Sequence, residues 1–260
     1  MIAGGVFRPC PGDPHRFDEC LLRDWRPFMI YQHRLIVARS GRLERRNEIF
    51  QREMLAALDE HGSLLIGAWE VLVGPETGSG VFQLRQFESL SAWERHQENV
   101  RRDRQTSGRQ GKLYPSLDAV DTAIVRSAER ARPLPGQWPG ADSLQTMPCG
   151  IFEQRVLHFR PDTVGEHHAL YFAEVMPALE REGATLAGFF DTVIGPGSMN
   201  AGSHRSIELR RFPDLAAWQR WREAQDSDAS LRMLLRERWA PLVDRVESQL
   251  LRPMPYSRIR

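Results

Sequence analysis

The sequence predicts an α+β fold made of two tandem copies of a β-α-β-β-α-β unit, packed sheet to sheet and closed into one barrel. Three observations predict it. Gly67-Ala68-Trp69-Glu70-Val71-Leu72-Val73-Gly74-Pro75 recurs as Gly188-Phe189-Phe190-Asp191-Thr192-Val193-Ile194-Gly195-Pro196, 121 residues later. A helical face ahead of the first copy (Leu43, Asn47, Phe50, Met54, Leu58) recurs at the same displacement as Val164, His168, Tyr171, Val175 and Leu179. A stretch with Pro133, Pro135, Pro139 and Pro148 separates the copies as a semi-extended linker.

Residues 1–27 read as an irregular arm, because Pro9-Cys10-Pro11-Gly12-Asp13-Pro14 cannot hold regular structure for long. The first unit spans 28–126. Phe28 to Val37 is bulky and β-branched, as a strand requires. Ser40-Gly41 opens a helix, and Gly62 ends it as a C-cap glycine would. Leu64–Val73 is a strand, Gly74-Pro75 with Gly78 and Gly80 a turn, and Val81–Phe87 a third strand. Ser89 caps a second helix carrying Leu90 and Trp93. The run Arg101-Arg102-Asp103-Arg104 is a solvated helix or loop, Tyr114-Pro115 opens a short helix or turn, and Ala123–Arg126 is a fourth strand. This order is the split, ferredoxin-like unit. After the 127–149 linker the second unit occupies 150–260. Its offset grows to 125 at Phe212 and Trp218, which lie over Phe87 and Trp93, and to 126 at Pro241 and Arg252. One such unit covers one sheet face with its helices, and a second unit can cover the other face and remove exposed edges.

Composition narrows the function classes. The chain has 260 residues and a formal net charge of +1, with 35 basic against 34 acidic residues. That balance argues against nucleic acid or an anionic membrane as a partner. Lys112 is the single lysine, so the cations are arginines with planar bidentate forks. Cys10, Cys20 and Cys149 form no C-x-x-C pair and are odd in number, which favours a reducing, cytoplasmic setting. No signal peptide and no apolar run of bilayer length is read.

These residues resemble the NIPSNAP family, within the dimeric α/β-barrel clan. The resemblance rests on Tyr31-Gln32-His33-Arg34, on Gly41 and Leu43, on Leu84 to Leu90, and above all on Gly67 to Pro75. It covers roughly 28–126 and 150–252. It implies the barrel fold and an oligomeric habit, here a homodimer of the two-unit chain. The clan holds cofactor-free monooxygenases, lyases, cyclases, haem enzymes and proteins without known activity.

Arg34 and Arg155 lie mid-strand between apolar neighbours, and the topology brings Arg85 and Arg210 beside them from the third strand. Glu70 and Asp191 on the second strand are the expected partners, since a buried arginine needs one. The four arginines read either as groups for a carboxylate or enolate in each half or as structural ion pairs. His168 and Tyr171 share the helix face that meets the sheet carrying Arg155, so the three read as a catalytic set with an acid or base near neutral pH; a core histidine is the alternative. His158 is a further ligand-binding candidate. His168, Tyr171 and His158 replace Asn47, Phe50 and Val37, which places function in the C-terminal unit. Asp162, Glu166, His167, His168 and Glu174 lack metal-ligand spacing, so no metal is expected. Gly74–Gly80 is a hairpin turn without the lysine of a phosphate loop. The expected function is cofactor-independent enzymology on a small metabolite: proton transfer, lyase, cyclase or oxygenase chemistry. The alternatives are a non-catalytic ligand-binding or protein-interaction module and, by clan analogy, a haem protein with His168 as axial ligand.

Overall fold

The structure is a computed structural model that describes residues 29–128, 150–195 and 204–259. The expected arm over 1–27, most of the linker, the three cysteines and the turn beyond Gly195 lie outside the described residues. The strands are β1 (Ile30–Ala38), β2 (Leu64–Val73), β3 (Gly80–Phe87), β4 (Leu117–Ser127), β5 (Ile151–Phe159), β6 (Thr185–Ile194), β7 (Arg205–Phe212) and β8 (Val243–Pro253). They close into one antiparallel barrel in the order β1-β3-β2-β8-β5-β7-β6-β4. Each half contributes four adjacent strands. The halves join at two seams, β2 with β8 and β4 with β6, so neither sheet keeps a free edge.

Strand alternation separates two environments. One set of side chains fills the barrel: Tyr31, Ile66, Trp69, Phe82, Phe152, Phe190, Ile207 and Leu251 belong to one buried cluster. The opposite face lies under helices. Helix α1 runs Leu43–Ile49, passes through a π turn at Phe50–Met54, and resumes at Leu55–Glu60. Its counterpart α4 runs Val164–Leu170, a π turn at Tyr171–Val175, then Met176–Arg181. Successive steps of four drift around a 3.6-residue helix, and the wider π turn takes up that drift. Phe50, Met54 and Leu58 therefore stay on one buried face. Helices α2 (Leu90–Arg102) and α3 (Arg104–Leu113) complete the N-terminal cover; α5 (Leu215–Ser227) and α6 (Ala229–Met233) complete the other.

Local signals agree with the reading above at several points. Ser89 Oγ accepts from Ala92 N at 3.1 Å as a cap, and Gly62 and Gly183 both take positive φ after their helices. The charged run 101–104 is where α2 ends and Asp103 caps α3, accepting from Gln105 N at 2.9 Å. The fourth strand begins at Leu117, earlier than Ala123. Its first residues, Asp118 to Val120, are exposed, so no apolar alternation marks them.

Contacts across the barrel repeat at the 121-residue displacement. Tyr31 meets Phe190 with ring centroids 5.1 Å apart, and the displaced pair, Phe152 and Trp69, meets at 5.5 Å, both at 63°. His33 and Gln154, displaced from each other by 121, touch through Nε2 atoms 2.7 Å apart. A residue that contacts its own counterpart sits beside a two-fold relation between the halves.

The glycine of the recurring strand has a packing cause. A Cβ on Gly67 would fall 1.9 Å from Trp69 Cη2, because that ring lies back over the glycine. A bulge between Leu65 and Gly67 sets the register around it. Gly67→Ala is expected to destabilise the fold by about 1–3 kcal/mol through overpacking, read as a lower urea midpoint with an unchanged m-value.

Candidate functional site

Between the C-terminal sheet and its helices lies a buried ionic cluster. Arg155 on β5 stands in register with Glu208 on β7, and Arg210 lies two residues along the same strand. Arg155 Nη1 donates to Glu208 Oε2 at 3.3 Å, and Arg210 Nε donates to Glu208 Oε1 at 2.5 Å. Tyr171 reaches down from the π turn of α4 and donates its hydroxyl to Glu208 Oε1. Arg210 Nη1 also approaches Glu153 Oε2 at 3.8 Å. The guanidinium of Arg155 stacks 5.2 Å from the Trp239 ring, and that of Arg210 5.0 Å from Trp221. Burial opposes ionisation of Glu208, but Arg210 and Arg155 outweigh it and hold its carboxyl below the usual range. Burial and the Glu208 charge push the Tyr171 hydroxyl far up, so it remains a donor.

This geometry corrects the expected pairing. Glu70 and Asp191 are not the partners of the four arginines. β3 lies between β1 and β2, and β7 between β5 and β6, so a first-strand arginine faces the third strand instead of the second. Glu70 instead pairs across the seam with Arg252 at 2.7 Å. Asp191 Oδ1 lies 3.2 Å from His168 Nε2 and accepts from Ser206 Oγ at 2.6 Å. Sequence reasoning did not single out Glu208, Glu153 or Arg46, and it weighed His167 only as a metal ligand. A signal was present: Glu153/Arg155 and Glu208/Arg210 are each two apart on a strand, hence on one face.

The two adjacent histidines have different fates. His167 is fully buried and its Nε2 accepts from Trp239 Nε1 at 2.9 Å; burial, then His168, lowers its pKa to about 3, so it stays neutral. His168 keeps a side-chain exposure of 13%, with Asp191 at 20%. Its ring packs edge-on against Phe172 and Phe189. His168 and Tyr171 thus share a helix face as expected, but Tyr171 and Arg155 join the Glu208 cluster while His168 joins Asp191. His158 lies apart, near the barrel mouth, 3.1 Å from Glu247. Among the described residues no group of three or more His, Cys, Asp or Glu is placed to hold a metal.

In the N-terminal half, Arg34 on β1 and Arg85 on β3 lie under α1 together with Arg46, which is 2% exposed. Two clefts open on this half. One, of about 470 Å³, includes Ser63, His96 and Arg258; the other, of about 410 Å³, includes Asn47, Glu70 and Tyr256.

The NIPSNAP family model matches residues 152–258. The residues that first suggested the family lie mostly in the other half, at 67–75. No curated protein matches the chain. Among solved structures, an anthrone oxidase-like protein is similar at 13% identity and a TM-score of 0.56, over 87% of this chain and 91% of its own. A candidate monooxygenase from Fusobacterium nucleatum is similar at 8% identity and a TM-score of 0.55, over 88% and 94%. A NIPSNAP family protein from Agrobacterium tumefaciens aligns at 20% identity and a TM-score of 0.38, over 41% of this chain and 98% of its own. The first two similarities are of fold: a closed barrel covering most of both chains. No described helix is long and apolar enough to cross a membrane.

Glu208 anchors two buried cations, so Glu208→Gln is expected to lower stability by about 3–5 kcal/mol. Its folded pKa lies below the ordinary value of 4.5. Its contribution is therefore complete above that value and lost as pH falls through the folded pKa. Chemical denaturation across pH 3–7 should show a smaller acid-limb decline in the variant than in the wild type.

Proposed function

From the premise that residues 152–258 are a NIPSNAP domain, we propose that the chain is a single-chain pair of ferredoxin-like units and acts as a cofactor-independent enzyme on a small metabolite, by proton transfer at His168. The recurring strand order and the repeated cross-barrel contacts support the tandem reading. One observation carries the catalytic reading: His168 Nε2 lies 3.2 Å from Asp191 Oδ1 at the margin of the C-terminal layer. Ser206 ties that carboxylate in place. No hydrogen bond joins His168 Nε2 to that carboxylate, but a carboxylate this near favours the protonated ring, so His168 can take up a proton from a ligand. The aromatic faces of Phe172 and Phe189 offer apolar surface beside it. The N-terminal counterparts, Asn47 and Glu70, contain no titratable base of this kind, which is why the C-terminal half is chosen.

In this reading His168 removes a proton from an activated carbon or hydroxyl, and Asp191 stabilises the imidazolium that forms. Tyr171 and Arg155 act through Glu208, fixing the π turn that follows the helical segment carrying His168, and are positioning residues. The similarity to an anthrone oxidase-like fold suggests an activated aromatic methylene as the first substrate class to try. The alternative, a ligand-binding module without catalysis, is favoured by the internal neutralisation of Arg155 and Arg210.

Exchange of the anthrone methylene protons in deuterated buffer, followed by NMR, separates the two. The wild type is expected to accelerate exchange, His168→Ala to lose about a hundredfold of that acceleration, and Asn47→Ala to keep it. Equal rates for His168→Ala and wild type would assign the protein to the binding reading.

A further inference from the structure

The layers between helices and sheet carry different charge in the two halves. In the C-terminal layer two arginines, Arg155 and Arg210, face two carboxylates, Glu153 and Glu208. At the equivalent N-terminal positions Gln32 replaces Glu153, Gln83 replaces Glu208 and Phe50 replaces Tyr171. Arg34 and Arg85 keep the two arginines, and Arg46 stands where His167 does. The N-terminal layer therefore gains one cation and loses both anions. Arg46 and Arg85 flank a single ring, with Cζ atoms 4.8 and 5.6 Å from the Phe50 centroid. Burial, then the charge of Arg34, lowers the Arg85 pKa to about 9. Asp59 faces Arg85, but it is half-buried and shared with Arg258 at 3.4 Å.

Arg85 is 1% exposed. Its Nη1 donates to Ser63 Oγ at 2.5 Å, whereas Nε and Nη2 have no hydrogen-bond partner among the described residues. Those two N–H groups form one edge of the guanidinium, the edge suited to bidentate carboxylate binding. In the C-terminal half the Nε of Arg210 is where Glu208 binds. Ser63, the partner of Arg85, lines the 470 Å³ cleft with two basic side chains, Arg95 and Arg258, two acidic ones, Asp59 and Glu88, and the apolar Leu64 and Phe87.

We propose that the N-terminal layer is a binding site for a small, partly apolar carboxylic acid, whose carboxylate docks on the Nε–Nη2 edge of Arg85 and takes the part that Glu208 plays in the C-terminal half. Arg34 and Arg46 supply the further positive charge that selects an anion. The cleft beside Ser63 accommodates the remainder of the molecule. The site lies in the half opposite His168 and stands independently of the catalytic reading.

Calorimetric titration and thermal melting with phenylacetate, its neutral analogue phenylacetamide, and inorganic phosphate test the site. Phenylacetate is expected to bind the wild type and raise its Tm, and phenylacetamide to do neither. Gln83→Glu supplies the internal carboxylate of the other half, so it should melt above the wild type without ligand and bind phenylacetate at least about tenfold more weakly. Arg85→Gln removes a buried charge that Asp59 offsets only in part, so it should lose binding without a lower Tm. If Gln83→Glu does not fold, Arg85→Gln decides alone. Equal binding of phenylacetate and phenylacetamide, no binding of either, or wild-type affinity in the variant tested would overturn the site. Binding of phosphate in place of phenylacetate would overturn the carboxylate assignment.

Discussion

Everything in this molecule depends on the two seams where one half's second strand pairs with the other half's fourth. β2 hydrogen-bonds β8, and β6 hydrogen-bonds β4. A four-stranded sheet with helices on one side leaves its other face and two edges exposed to water. Joining two of them at both edges satisfies the backbone groups of the edge strands and encloses the apolar faces together. The aromatic contacts of Tyr31 with Phe190 and Trp69 with Phe152 follow from that closure. So do the cross-half partner of Glu70 in Arg252 and the position of the C-terminal tail, where Ser257 Oγ accepts from Ala68 N at 3.1 Å.

Closure also decides where chemistry can sit. The barrel interior is filled by an apolar cluster, with His33 inside held neutral at a pKa of about 3, first by burial and then by Arg205. Ionic side chains collect on the opposite face of the strands, under α1 and α4. There the two halves, alike in backbone, diverge in charge. Glu208 turns the C-terminal layer into a self-contained network, while the arginines under α1 face glutamines. Single-residue differences at positions 121 or 125 apart separate an internally neutralised ion cluster from a layer with excess positive charge.

Much of the frame was legible in the sequence because it rests on periodicity. The displacement between Gly67 and Gly188, the glycines after α1 and α4, and the cap at Ser89 each express a local backbone requirement that a sequence carries openly. The ion pairing was less legible. Which carboxylate meets Arg155 depends on strand order, and the order puts β7 beside β5, so Glu208 wins over Asp191. The π turns were invisible because the apolar face reads alike through an α-helix or an α-helix with one wide turn. The family resemblance was read chiefly from Gly67 to Pro75, yet the family match falls on 152–258, the half whose strand motif had diverged to Phe190-Asp191. Arg46 escaped notice, and His167 was weighed only as a metal ligand, because each stands beside the residue that the helical face singled out.

Native-state hydrogen exchange tests the central claim, that the two halves form one closed and mutually dependent structure. Amides of β2 and β8, and of β4 and β6, should exchange with the same free energy as the most protected amides of both halves, reflecting one global opening. Seam amides that exchange far more readily than the centres of β3 and β7, or one half whose amides exchange through an opening the other does not share, would contradict it.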